Sequence, residues 1–228
     1  TPMFGFLSMV LRLILESGFQ SLSELENLAA ELQPGELAFK GPHGLAIDLH
    51  QNPVTFHWFS PAYVLDLTGI WERSILLSEE QRNQKELGNG LWKRILSAYD
   101  TLGYLCLHLA LHGLQARRSL MDIDLWIRNL PETWQWERFL DIVNQWKIRS
   151  VVYHALSICK DLMQTPLPDG LLDTLDPGWF ARMRVKLLIT SQSILADRPT
   201  FGKRYPTLVK LALVDRFSTI LVMLIQAA

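Results

Sequence analysis

At 228 residues, with 49% hydrophobic and 20% charged side chains, the chain can bury a sizeable core as one large domain or two small ones. The 22 basic and 23 acidic residues leave a formal net charge of −1, so no basic excess argues for a nucleic-acid surface. Both cysteines, Cys106 and Cys159, lie in apolar helical contexts and read as buried free thiols, which fits a cytoplasmic protein.

Along the chain, residues 4 to 17 carry Phe6, Leu7, Val10, Leu11, Leu13 and Ile14 at helical spacing and stop at Gly18. A second helix is expected over 21 to 32, with Ser21 or Ser23 as its cap. The period then changes. "GELAFK" and "LAIDLH" flank the turn "GPHG", which predicts an antiparallel hairpin of 36 to 40 and 45 to 50. "VTFHWF" after Pro53 reads as a third extended piece, and the polar run 78 to 90 as a solvated loop or an exposed helix start. Helices are expected over 91 to 112, 117 to 130, 134 to 146, 148 to 164, 178 to 195 and 206 to 227. The opening shows no secretory signal, and Lys210, Asp215 and Arg216 interrupt the closing apolar run, so a packed terminal helix is expected there and no membrane span.

"RRSLMDIDLWIRNL" poses a choice. On a strand, Asp122 and Asp124 would share a face and could hold a metal; on a helix they lie about 200° apart. As a helix, Leu120, Ile123, Trp126, Ile127 and Leu130 form one apolar stripe. Arg118 with Asp122, and Asp124 with Arg128, then become i,i+4 ion pairs. The helical neighbours and the length of the segment favour the helix. Polymerase-β-like nucleotidyltransferases place a Gly-Ser or Gly-Gly turn shortly before their carboxylate pair. Leu114 occupies that place here, so the pair is not expected to be a metal site.

Four stretches carry a resemblance: "GLAIDLHQNPVTFHW", "LCLHLALHGLQARRSLMDIDLWI", "WQWERFLDIVNQW" and "TPLPDGLLDTLDP". In that order they resemble the uncharacterised nucleotidyltransferase family of bacteria, over about residues 10 to 177. The resemblance implies a nucleotidyltransferase-like sheet followed by a helical half. It also implies Mg²⁺-dependent transfer from a nucleoside triphosphate to an acceptor that the sequence leaves undefined. Asp48 would be the third metal carboxylate and His50 its neighbour on the same face. His112 and Gly113 would be the "HG" after the long helix, and Asp122 the helix aspartate facing that turn, His112 and Asp122 serving the substrate. In such enzymes the glycine turn and Asp-x-Asp precede the helix that begins here near Phe4, and Gln51 stands where a tryptophan is common. The implied state is a protein that lacks its first catalytic motif, by truncation or loss, and is inactive as it stands.

Other patterns carry less. His108 and His112 have the i,i+4 spacing of zinc ligands, but no glutamate follows His108 directly and no third ligand is placed, so a packed His108 with His112 capping the helix end is the expected reading. The tryptophans at helical spacing read as packing residues. Arg182, Arg184 and Lys186 with Lys203, Arg204 and Tyr205 read as a solvated basic face. The expected architecture is α+β and predominantly helical: residues 1–77 a partial nucleotidyltransferase-like region with a small antiparallel sheet, residues 78–228 a helical bundle. The alternative function is a non-catalytic helical interaction module.

Overall fold

The computed structural model describes residues 18, 20–21, 36–44, 46–50, 62–76, 94–114, 116–189, 205–214 and 219. The helix expected over 4–17, all but Ser21 of the one expected over 21–32, the extended piece 54–59, the polar run 78–90 and most of the chain after 189 lie outside them. The architecture is α+β and predominantly helical. By its internal contacts the chain divides into two units, residues 1–60 and 61–228.

The first unit holds an antiparallel sheet of three strands in the order β1 (Gln20–Ser21), β2 (Glu36–Lys40), β3 (Ala46–His50). The expected hairpin forms, one residue shorter at the start of its second strand. Its turn is a 3₁₀ segment, Pro42–Gly44, closed by Gly44 at φ 78°, where a residue with a Cβ would be strained. Pairing runs Glu36 with His50, Leu37 with Leu49, Ala38 with Asp48, Phe39 with Ile47 and Lys40 with Ala46. Strand alternation therefore separates an apolar set, Leu37, Phe39, Ile47 and Leu49, from a polar one that includes Glu36, Lys40, Asp48 and His50. Phe39 is buried and Lys40 exposed, as that separation requires. Ser21, in β1, pairs with Phe39 of β2; β1, a strand of two residues, is too short to show a period, and the helix that Ser21 or Ser23 is expected to cap lies outside the described residues.

The second unit opens with α1 (Leu67–Arg73), whose N-terminus Asp66 caps by accepting from the Gly69 amide. Two short strands, β4 (Ile75–Leu76) and β5 (Arg94–Ile95), pair antiparallel. Next come α2 (Ala98–Leu111), α3 (Arg117–Arg128), α4 (Trp136–Trp146) and α5 (Arg149–Met163). They are followed by α6 (Leu171–Leu175), α7 (Trp179–Leu188) and α8 (Tyr205–Ala212). The helix expected from residue 91 begins only at Ala98, because Ser97 caps it by accepting from the Asp100 amide and Arg94–Ile95 go to a strand. Asp100 is wholly buried and takes a two-pronged ion pair from Arg73 at 2.8–3.2 Å, which ties α1 to the start of α2.

At the centre stands α2, packed against α3, α4, α5 and α8. That position accounts for its composition: Leu102, Cys106, Leu107, Leu109 and Ala110 are all fully buried, while the less buried Thr101, Tyr104, Leu105, His108 and His112 share one side. Gly103 lets the Trp146 ring come close. A Cβ there would stand 3.1 Å from Trp146 Cζ3, closer than ordinary packing. Only one side of α3 is buried, through Leu120, Ile123 and Ile127, with Trp126 and Leu130 half-buried, so the expected stripe is present. Among the described residues no helix is long and apolar enough to cross a membrane.

Candidate functional site

Asp48 and His50 stand two apart on β3, on the polar side of the hairpin. The register adds a residue that the sequence reading left out: Glu36 pairs directly with His50 and lies diagonally from Asp48 on the same side. Two acidic positions and a histidine thus share one surface of the ladder. The signal was present in the alternation on both sides of "GPHG", but using it needs the pairing register.

A second cluster forms where α2 ends and α3 begins. Leu114 N–H donates to Leu109 O at 2.9 Å and Gly113 N–H to Ala110 O at 2.9 Å, the paired bonds of a Schellman helix end. Gly113 takes φ 68° as that end demands, and Leu114 follows at φ 60°, buried where it can pack with the helix. His112 is therefore the last position of the helix, with its ring exposed. His108, one turn earlier, is half-buried. Its Nε2 lies 3.3 Å from Nε2 of His112, and its Nδ1 lies 3.4 Å from Ser119 Oγ on α3. The imidazole rings sit edge to face, 4.6 Å apart between centroids.

The two aspartates of α3 part company, as a helix requires. Asp122 is exposed to solvent rather than packed against the turn. Asp124 is drawn in: it accepts from Arg128 Nε at 2.9 and 3.0 Å and from Thr165 Oγ1 at 2.6 Å. These partners hold its carboxyl below the usual range, against the opposing effect of burial. Arg128 also reaches the carbonyls of Met163 and Gln164, so the pair fastens α3 to the end of α5. The two carboxylates do not converge, and no group of three or more His, Cys, Asp or Glu that could hold a metal occurs among the described residues.

A cleft of about 450 Å³ lies between α5 and α7, with Tyr153, His154, Ser157 and Asp161 on one wall and Trp179, Arg182 and Lys186 on the other. The expected basic cluster is thereby divided. Arg182 and Lys186, at i,i+4, both reach the cleft, whereas Arg184 turns to the Val214 carbonyl. His154 is buried. Burial first, then Arg184 and Arg182, lower its pKa from 6.5 to about 4, so the ring is neutral at neutral pH. Its Nε2 has no hydrogen-bond partner among the described residues. Asp161 also lines the cleft and Arg182 is paired with Asp176 at 3.4 Å; nothing in the local sequence announces the cleft, because its walls come from helices separated by a loop.

Cys106 and Cys159 are free and buried. Burial raises both thiols, that of Cys159 to about 12, so neither is a nucleophile at neutral pH.

A helix-rich α+β chain with a polar hairpin face and a helical unit is compatible with group-transfer enzymes and with binding modules alike. The model of a family described as uncharacterised nucleotidyltransferase matches residues 7–164, well over half of the chain. The chain belongs to this family. The match takes in the hairpin and the helices through α5, while the α7 wall of the cleft lies beyond it. No curated protein and no solved structure matches the chain.

Proposed function

We propose that this chain carries part of a nucleotidyl-transfer site, binding a nucleoside triphosphate with Mg²⁺ through Asp48, and that these 228 residues do not complete the transfer alone. One observation carries the reading: the region matched by the nucleotidyltransferase family contains a hairpin whose register sets Asp48, His50 and Glu36 on one polar side. Carboxylate oxygens are hard donors, and Mg²⁺ in phosphate sites commonly takes one or two carboxylates with the substrate's phosphates, so the donor set fits. When bound, Mg²⁺ would supply charge neutralisation at the phosphates. Asp48 would hold that ion, with Glu36 as the second acidic position. His50 would take the proton from the acceptor hydroxyl as its oxygen bonds to the α-phosphorus and the bond to the departing pyrophosphate breaks.

What argues against complete transfer is the fate of the only Asp-x-Asp in the sequence. Asp122 and Asp124 lie on a helix, and Asp124 is already engaged by Arg128 and Thr165. In this reading His112 and Asp122, both exposed, belong to recognition of substrate and not to chemistry. Two buried free thiols fit a cytoplasmic protein, and the resemblance implies a bacterial one.

Calorimetric titration of ATP, GTP, CTP and UTP, each with and without Mg²⁺, into the chain and its Asp48→Ala variant tests the proposal. At least one nucleotide should bind only with metal, and Asp48→Ala should weaken it by about tenfold or more, the loss of roughly 1.4 kcal/mol. Binding indifferent to Asp48, or none to the folded chain, would sink the nucleotide-site reading and leave a helical interaction module.

A further inference from the structure

We propose that His108 and His112 form a binding site for one divalent ion of the zinc, nickel or copper type at the C-terminal end of α2. Two bonds of 2.0–2.1 Å meeting at a tetrahedral ion put their nitrogens roughly 3.3 Å apart. The two Nε2 atoms already stand 3.3 Å apart, so an ion can enter with little movement of either ring. The rings meet edge to face at 66° rather than stacked.

Two further features of the corner suit a ligand pair. Ser119 Oγ lies 3.4 Å from His108 Nδ1, where it can accept that N–H and so favour the tautomer whose Nε2 carries no proton. The positions are also fixed at the backbone, because the Gly113 and Leu114 amides close the helix end directly after His112. Helix polarity favours a cation there. In the metal-free protein His112 can donate its Nε2–H to His108 Nε2; on binding, that proton is exchanged through solvent to Nδ1 of His112, and Nε2 is given to the ion.

The selectivity follows from the donors. Imidazole nitrogen suits zinc, nickel and copper, while Mg²⁺ prefers oxygen, so this site is separate in chemistry from the proposed carboxylate site at Asp48. Two protein ligands leave the remaining positions to water or to a ligand bearing nitrogen or oxygen, and exposure of His112 keeps the site open to solvent.

The test is calorimetric titration of Zn²⁺, Ni²⁺ and Mg²⁺ into the full chain and into His112→Ala, His108→Gln and Ser119→Ala, with circular dichroism on each variant. Zn²⁺ and Ni²⁺ should bind with a stoichiometry of one, and Mg²⁺ should not compete. His112→Ala, a change at an exposed ring, should remove the binding without altering the dichroism spectrum, and His108→Gln should do the same. Ser119→Ala, which keeps both ligands, should weaken binding by about tenfold. Zinc binding that survives His112→Ala in a folded chain, or no zinc binding to the parent, would overturn the proposal. Should His108→Gln unfold, His112→Ala alone decides.

Discussion

Burial and the nearby Arg184 and Arg182 bring the His154 imidazole from 6.5 to about 4, with Asp176 opposing them. The unfolded chain therefore takes up a proton at this residue as pH falls through 6.5, while the folded chain resists until about 4. Stability contributed by the neutral ring is present above pH 6.5 and is lost progressively between 6.5 and 4. The full loss amounts to about 3 kcal/mol by proton linkage. Urea unfolding at pH 7.5 and pH 5 should show a smaller difference in His154→Phe than in the parent; equal differences would mean that the ring is not held neutral. The same scale explains why Asp124 was harder to place than its neighbour. Sequence spacing offered its bond to Arg128, but the Thr165 hydroxyl comes from 41 residues away, beyond any local pattern.

Among the elements, the approach of α2 to α4 depends on one missing side chain. Gly103 is within an α-helix, where alanine is favoured by about 1 kcal/mol, yet its added Cβ would meet the buried Trp146 ring at 3.1 Å. Gly103→Val should therefore destabilise the protein by about 1–3 kcal/mol, measured by denaturant unfolding, since the ring has no exposed side toward which to move. An unchanged or raised midpoint would show that α4 can shift to accommodate it. The helices α3, α4 and α5 were legible in the chain to within two residues at each end, because each buries one stripe against α2 and writes that stripe as a period. The start of α2 was not, because Arg94–Ile95 leave for a strand through a pairing that the local pattern does not announce, and the capping Ser97 is one serine among many. The short α6 was missed for a different reason: Leu171–Leu175 is five residues between proline- and glycine-rich segments, too short to repeat.

At the scale of the molecule, the residues that build the core of the helical part all fall after Pro61, and α1 is fastened to α2 by the Arg73–Asp100 pair within that same unit. Residues 61–228 expressed alone should consequently give a helical dichroism spectrum and a cooperative thermal transition, and a featureless melt would show that the first 60 residues are needed for folding. The candidate site was legible in the chain only in part. Strand alternation is local, so Asp48 with His50 could be read directly, whereas Glu36 enters by pairing and the cleft between α5 and α7 by packing of distant helices. The enclosure of α2 on several sides has a consequence in time. Its amide groups can meet solvent only when the surrounding helices part together, so its slowest hydrogen exchange is tied to the opening of the whole unit. The histidine pair at its end is thus mounted on the segment with the longest structural memory, and the corner keeps its shape for as long as the helical unit stays closed.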